Sequence, residues 1–194
     1  IVLPALRTAR LSHPRIDPEV VVAASDILCD QLASGRLDFI IGRVPPHVDA
    51  RAFEGQLIAA EPVALVVRKG HHLAVAPPQD PMDLMAYDWV MPGEESPLTQ
   101  AVHARLARLG LPRPSQRLST ASFLLTLAML RQSNVVAPLA QAVADQFAEG
   151  PDAPLVQVRI DLGIEVATYS LLTRKGARLT AAADTILRLI RAAA

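Results

Sequence analysis

Aromatic residues are scarce in this 194-residue chain, at 4%, and cysteine occurs once, as Cys29. A single cysteine excludes an intramolecular disulfide and suits a reducing compartment. Neither sign of charge is in excess: 19 Lys and Arg balance 19 Asp and Glu, and no basic run is longer than a pair such as Arg68-Lys69. A domain that grips nucleic acid by itself carries a basic face, so DNA contact by these residues alone is not expected. No apolar run approaches the roughly 18 residues of a membrane span, and no signal-peptide pattern opens the chain. Glycine is sparse too, with 9 in all. The phrases G-x-S-x-G, H-E-x-x-H and G-x-x-x-x-G-K-[ST] are missing, as is a Gly-rich dinucleotide-binding turn. No enzyme, metal or cofactor reading follows from the motifs.

What the chain does have is aliphatic core material: 51% of its residues are hydrophobic, chiefly Ala, Val, Leu and Ile. Its length suits one large domain or two small lobes. Helical spacing runs from Ile1 through Leu6 to Leu11, and Val20-Val21-Val22-Ala23 reads as a β-branched strand. Ser25-Asp26 stands where an N-cap belongs, before Ile27, Leu28 and Leu32 on one helical face. That helix stops at Gly35, suited to a left-handed C′ position, and Phe39-Ile40-Ile41 follows as a strand buried on both faces, as in a parallel sheet. Gln56 to Ala60 and Val63 to Val67 read as two strands around Glu61-Pro62. A second run of alternating elements starts beyond Pro77-Pro78. It has a strand at Asp88–Met91, a helix capped by Ser96 with Pro97 at its first position, and a helix from Phe123 capped by Thr120-Ala121-Ser122. Asn134 to Ala137 reads as a buried strand, Pro138 as the opening of a helix to Phe147, and Leu179 to Ile190 as a last amphipathic helix. The expected class is α/β, with two Rossmann-like lobes and a ligand cleft between them. A parallel α/β lobe normally opens with a strand, and none precedes the first helix. The chain is therefore expected to be a fragment.

The segment from Gln31 to Arg43, with its helix, Gly35, Asp38, apolar strand and Gly42-Arg43, resembles the effector-binding domain of LysR-type transcriptional regulators. Two further segments carry the resemblance, Trp89-Val-Met-Pro92 to Leu109 and Thr120 to Pro138. It implies a type 2 periplasmic-binding-protein-like fold whose chain crosses between lobes near Val67-Arg68 and Tyr169-Ser170. Lobe I is then 1–67 plus 169–194, and lobe II is 68–168. It further implies a cytoplasmic, non-enzymatic sensor of a small-molecule effector, a carboxylate or sugar acid, working as a homodimer or homotetramer. DNA is reached only through an N-terminal winged helix-turn-helix outside this chain. A periplasmic solute-binding protein shares the two-lobe fold and is the alternative.

Ser25, Ser96 and Ser122 each begin a helix that follows a strand, where unpaired N–H groups and the helix dipole attract anions. Each is also accounted for as a plain cap, worth about 1 kcal/mol. The resemblance singles out Ser25 as an effector contact, with Ser96 and Leu98 at the turn into a helix and Ser122 and Phe123 facing the cleft. Arg43 offers a guanidinium fork to an acidic effector, or a salt bridge to Asp38. Pro138, after an apolar strand, is expected to wall the cleft. His71-His72 suggests a metal only until partners are sought, because no Cys, Asp or Glu stands nearby at ligand spacing. Cys29 lies near a helix start, which lowers a thiol pKa, but its neighbours Ile27, Leu28 and Leu32 point to burial.

Overall fold

The computed structural model describes residues 1–148, 150 and 153–193. In chain order the elements are α1 (Val2–Ser12), α2 (Ser25–Ala33), β1 (Phe39–Gly42), β2 (Phe53–Arg68), α3 (His72–Val75), β3 (Asp88–Met91) and α4 (Pro97–Arg108). They continue as β4 (Ser115–Ser119), α5 (Phe123–Gln132), β5 (Ala137–Ala140), α6 (Gln141–Ala148), β6 (Leu155–Gln157), β7 (Glu165–Arg174) and α7 (Ala181–Ala192). The alternation expected from the sequence is present, and the fold is α/β. Two compact units are formed, one from Ile1–Ala59 with Thr168–Ala194, the other from Ala60–Ala167.

In the first unit β1 pairs antiparallel with β7, Ile40 opposite Leu172 and Ile41 opposite Leu171, and β7 in turn lies beside β2. Side chains alternate across this sheet with the period of two that a pleated strand imposes. Leu171, with Phe39 and Ile41 at its margin, joins Ala5 and Ala9 of α1 and Ile186, Leu187 and Ile190 of α7. Leu172 and Ile40 turn the other way and meet Cys29 and Leu32 of α2 and Phe53. The unit is thus three layers, helices on both faces of one sheet. Gly55 keeps β2 close to β7, because a Cβ there would stand 2.6 Å from Leu172 Cδ2.

The second unit repeats the plan. Leu65, Val67, Trp89 and Met91 join Val102 and Leu106 of α4 on one side. Val66, Val90, Ala137 and Leu139 join Leu130 of α5 and Ala144 of α6 on the other. Strands β3 and β4 are parallel, Val90 opposite Leu118, and Trp89 bridges Val136 in the same sense. β5 and β6 both pair antiparallel with β2.

Five local readings need correction. The N-cap of α2 is Ala24, so Ser25 is the first helical residue. The two strands read around Glu61-Pro62 are one, β2, which continues past Pro62 into the stretch Val63–Val66 paired with β5. Pro138 does not open a helix; it lies inside β5 opposite Leu65, and α6 starts at Gln141. Phe39–Ile41 does meet helices on both faces, but its partner β7 is antiparallel and only Ile40 of the three is fully buried. Val20–Ala23 is extended without strand pairing among the described residues.

Candidate functional site

In the first unit, α2 ends in the expected left-handed glycine, Gly35 at φ 75°, and the chain turns directly into β1. Helix and strand therefore run in opposite senses, which puts the start of α2 at the end of β1 where Arg43 emerges. The contact that shows it is Cys29 Sγ, 4.0 Å from the Arg43 carbonyl oxygen. Ser25 is one turn before Cys29 on the same helical face. Ala24 has no side chain to bond the first N–H groups of α2, and no side-chain cap bond is made there. These donors remain available to a ligand. Asp26 in the first turn already answers part of the helix dipole. The Arg43 guanidinium carbon lies 5.9 Å from the Tyr169 ring centroid, an outer-limit cation–π distance. Tyr169, beside the Gly42–Ser170 pair, joins the candidates; a lone tyrosine on an alternating strand gave no sequence signal for it. Burial, with the charges of Asp30 and Asp26, pushes the Cys29 thiol up. The thiol stays protonated and unreactive at neutral pH.

In the second unit, the parallel pairing of β3 and β4 brings their C-terminal ends to one edge, and α4 and α5 start from that edge. Thr120 N–H donates to the Met91 carbonyl at 3.1 Å and ties the two ends together. The β3–α4 turn is pinned by Thr99 Oγ1, which donates to the Pro92 carbonyl at 2.9 Å, and by Gln116 Nε2, which donates to the carbonyls of Met91 and Pro92 at 3.1 and 3.2 Å. Ser96 is the N-cap of α4 with Pro97 at the first position, as expected, and makes no side-chain cap bond. Ser122 caps α5 in full: its Oγ accepts from Leu125 N at 3.3 Å. Its own N–H donates to Thr120 Oγ1 at 3.0 Å. Phe123 is 38% exposed and its ring meets Phe147 edge-on, centroids 5.5 Å apart. Leu98 is half-buried against the α4 side of the core, and Pro138 is buried.

The sequence thus located two strand-to-helix edges, Ser25 with Arg43 in one unit and Ser96 with Ser122 in the other. Neither a cavity of about 480 Å³ on the outer side of α4, around Glu94, His103 and Arg113, nor one of about 590 Å³ beside β1 is lined by any of the seven expected residues. His71, the other candidate weighed in the sequence, is a structural group. It is buried at the N-cap of α3, its Nδ1 accepting from Leu73 N at 3.0 Å and its Nε2 lying 3.3 Å from the Asn134 carbonyl. Among the described residues no group of three or more His, Cys, Asp or Glu is arranged to hold a metal, and no helix is long and apolar enough to cross a membrane.

The model of the LysR substrate binding domain family matches residues 1–194. The chain is 36% identical over 157 residues to the HTH-type transcriptional regulator GbpR of Rhizobium radiobacter, covering 81% of this chain and 52% of that protein. It is 32% identical over 194 residues to GbpR of Azospirillum brasilense, covering 100% of this chain and 56% of that one. The chain spans about half the length of these curated relatives. Among solved structures, the regulatory domain of Synechocystis PCC6803 CcmR in complex with 2-PG superposes with a TM-score of 0.77 at 19% identity, over 97% of this chain and 88% of that one. The effector-binding domain of QuiR in complex with shikimate gives 0.71 at 13%, over 99% and 89%. That of BenM with its effector benzoate gives 0.69 at 16%, over 97% and 83%. These likenesses show a shared fold, the type 2 periplasmic-binding-protein-like fold of LysR effector-binding domains. Matched along its whole length by the family model, and sharing about a third of its positions with two HTH-type regulators, the chain belongs to the LysR substrate-binding domain family.

Proposed function

We propose that this chain is the effector-sensing part of a LysR-type transcriptional regulator and binds a small organic acid. The observation that carries the reading is the pair of strand-to-helix edges, each offering helix N-terminal donors next to serine hydroxyls, with a guanidinium at one of them. Open α/β sheets bind ligands at the carboxyl ends of their strands, and a helix N-terminus favours a carboxylate. Ser25 and Ser96 spend no side-chain bond on capping, so their hydroxyls are left to meet a ligand. Arg43 supplies the positive charge, and Asp26 and Glu95 beside the serines disfavour an effector with several negative charges. The proposed contacts are Ser25 and Arg43 from the first unit, and Ser96, Leu98, Ser122, Phe123 and Pro138 from the second. Shikimate and benzoate, carried by QuiR and BenM, are both monocarboxylates and agree with this chemistry.

The role is that of a switch and not of a catalyst. An effector that binds one conformation better shifts the population toward it, and a homodimer or homotetramer conveys the shift to DNA-binding parts outside this chain. The setting is the cytoplasm, where such regulators meet DNA. Thermal unfolding against a panel of monocarboxylates, sugar acids and neutral sugars tests the reading. An acid at 100 times its Kd adds about 2.7 kcal/mol, roughly 5 to 10 °C for a domain of this size. A response to neutral sugars alone would overturn the anion reading. A Ser25→Ala variant that binds the active acid as well as the native chain would remove α2 from the site.

A further inference from the structure

Arg43 and Tyr169 are cross-strand neighbours in the first unit. β1 and β7 pair antiparallel with Phe39 opposite Thr173, Ile40 opposite Leu172, Ile41 opposite Leu171 and Gly42 opposite Ser170. One step further along that register, Arg43 stands opposite Tyr169. Side chains directly opposite in an antiparallel pair leave the sheet on the same face, with Cβ atoms about 4.5–5.5 Å apart. The approach of the guanidinium carbon to 5.9 Å from the ring centroid is therefore set by the ladder and not by a chance rotamer. Both residues are half-buried, and Arg43 Nη2 is buried, which strengthens a cation's attraction to a ring face relative to one in open water. A salt bridge from Arg43 to Asp38 is out of reach. Asp38 enters β1 and Arg43 leaves it, and the strand between them, at 3.3–3.4 Å per residue, holds their Cα atoms roughly 16–17 Å apart.

We infer that Tyr169 is a positioning residue for the effector's carboxylate: its ring holds the Arg43 guanidinium in place, and it acts through Arg43 and not on the acid directly. The inference rests on the proposed contact between Arg43 and an organic acid. An arginine that is immobilised only when its ligand arrives gives up rotamer freedom at that moment and binds more weakly for it. One already laid over a ring has met that cost in folding. Attraction to a ring face also does not compete for the in-plane N–H groups by which a guanidinium grips a carboxylate. The backbone is pinned at the same point, because the Arg43 carbonyl oxygen lies 4.0 Å from Cys29 Sγ. Main chain and side chain of Arg43 are thus placed by different elements, α2 and β7.

The Arg43 Nε–Hε signal in a nitrogen–proton NMR spectrum of this chain tests the inference, with acetate as the probe and acetamide as its uncharged counterpart at constant ionic strength. In the native chain acetate is expected to move the signal and acetamide to leave it in place. Tyr169→Leu keeps an apolar strand residue without a ring. It is expected to shift the acetate-free signal as the ring current is lost, and to weaken acetate about three- to tenfold. Tyr169→Phe keeps the ring and is expected to retain both the signal and the affinity. Amide signals of Ile40 and Leu172, paired between the same strands, report that the ladder is intact in each variant. Native affinity in Tyr169→Leu would overturn the inference and leave the Arg43 contact standing. Equal losses in Tyr169→Leu and Tyr169→Phe would overturn it too, by making the hydroxyl and not the ring the active group. An Arg43 signal indifferent to acetate in the native chain would overturn the Arg43 contact, and the inference with it.

Discussion

Three serines at helix starts differ in what their hydroxyls already do, and the difference separates folding from binding. Ser122 accepts the Leu125 N–H, so Ser122→Ala is expected to cost about 1 kcal/mol of stability whether or not an effector is present. Ser96 makes no cap bond and Ser25 sits inside the first turn behind Ala24. Ser96→Ala and Ser25→Ala are therefore expected to change the urea midpoint by little, with their effect appearing in effector affinity, roughly tenfold for one lost hydrogen bond. His71 has the opposite character. Burial, above all, holds its imidazole below the ordinary 6.5, with Arg68 and His72 adding to the effect against the Asn134 bond. Its Nδ1 must stay unprotonated to accept from Leu73 N. A histidine depressed in the folded state contributes stability above its unfolded pKa of about 6.5 and loses it as pH falls through the folded value. The melting midpoint of the native chain should thus fall between pH 7 and 5 more steeply than that of His71→Asn, whose side chain can still accept at the N-cap. Parallel profiles would show that His71 does not titrate in this range.

At the scale of elements, the sequence was most legible where one residue has a single physical job. Gly35 marked the end of α2 because a left-handed residue is needed there, and the structure gives it φ 75°. A Cβ at that position meets nothing closer than Arg174 Nη1 at 3.5 Å, so Gly35→Ala should cost about 1 kcal/mol from backbone conformation alone, measurable by denaturant titration. Pro97 and the apolar faces of α4 and α7 were equally plain. Legibility failed where a residue has two uses. Pro62 and Pro138 read as breaks because proline lacks a donor, but each lies inside a strand. The valines at 20–22 read as a strand from β-branching alone, yet they are extended without strand pairing among the described residues. The site was half legible in the same sense. Serines after strands and the Arg43 fork follow from local pattern, whereas Tyr169 under Arg43 and the Thr99 and Gln116 clamps on Pro92 depend on distant parts of the chain.

For the whole molecule, chain connectivity sets how the two units share stability. β2 gives its first residues, Phe53–Ala59, to one unit and the rest to the other, and β7 does the same from its opposite end. Both strands are core elements in each: Phe53 and Leu172 in the first unit, Val66 and Val166 among the buried residues of the second. Melting either unit frays a strand that the other needs, so the chain is expected to unfold in one calorimetric transition, with van't Hoff and calorimetric enthalpies equal. On the proposed function, a bound effector should move that single transition upward without splitting it. Arg43→Ala, in the first unit, and Phe123→Ala, in the second, should each reduce the shift produced by the same acid. Their double variant separates two arrangements. If the two residues touch one bound molecule, the losses fall short of additive once either contact is gone. If they serve separate sites, the losses add and the titration of the native chain shows two binding events.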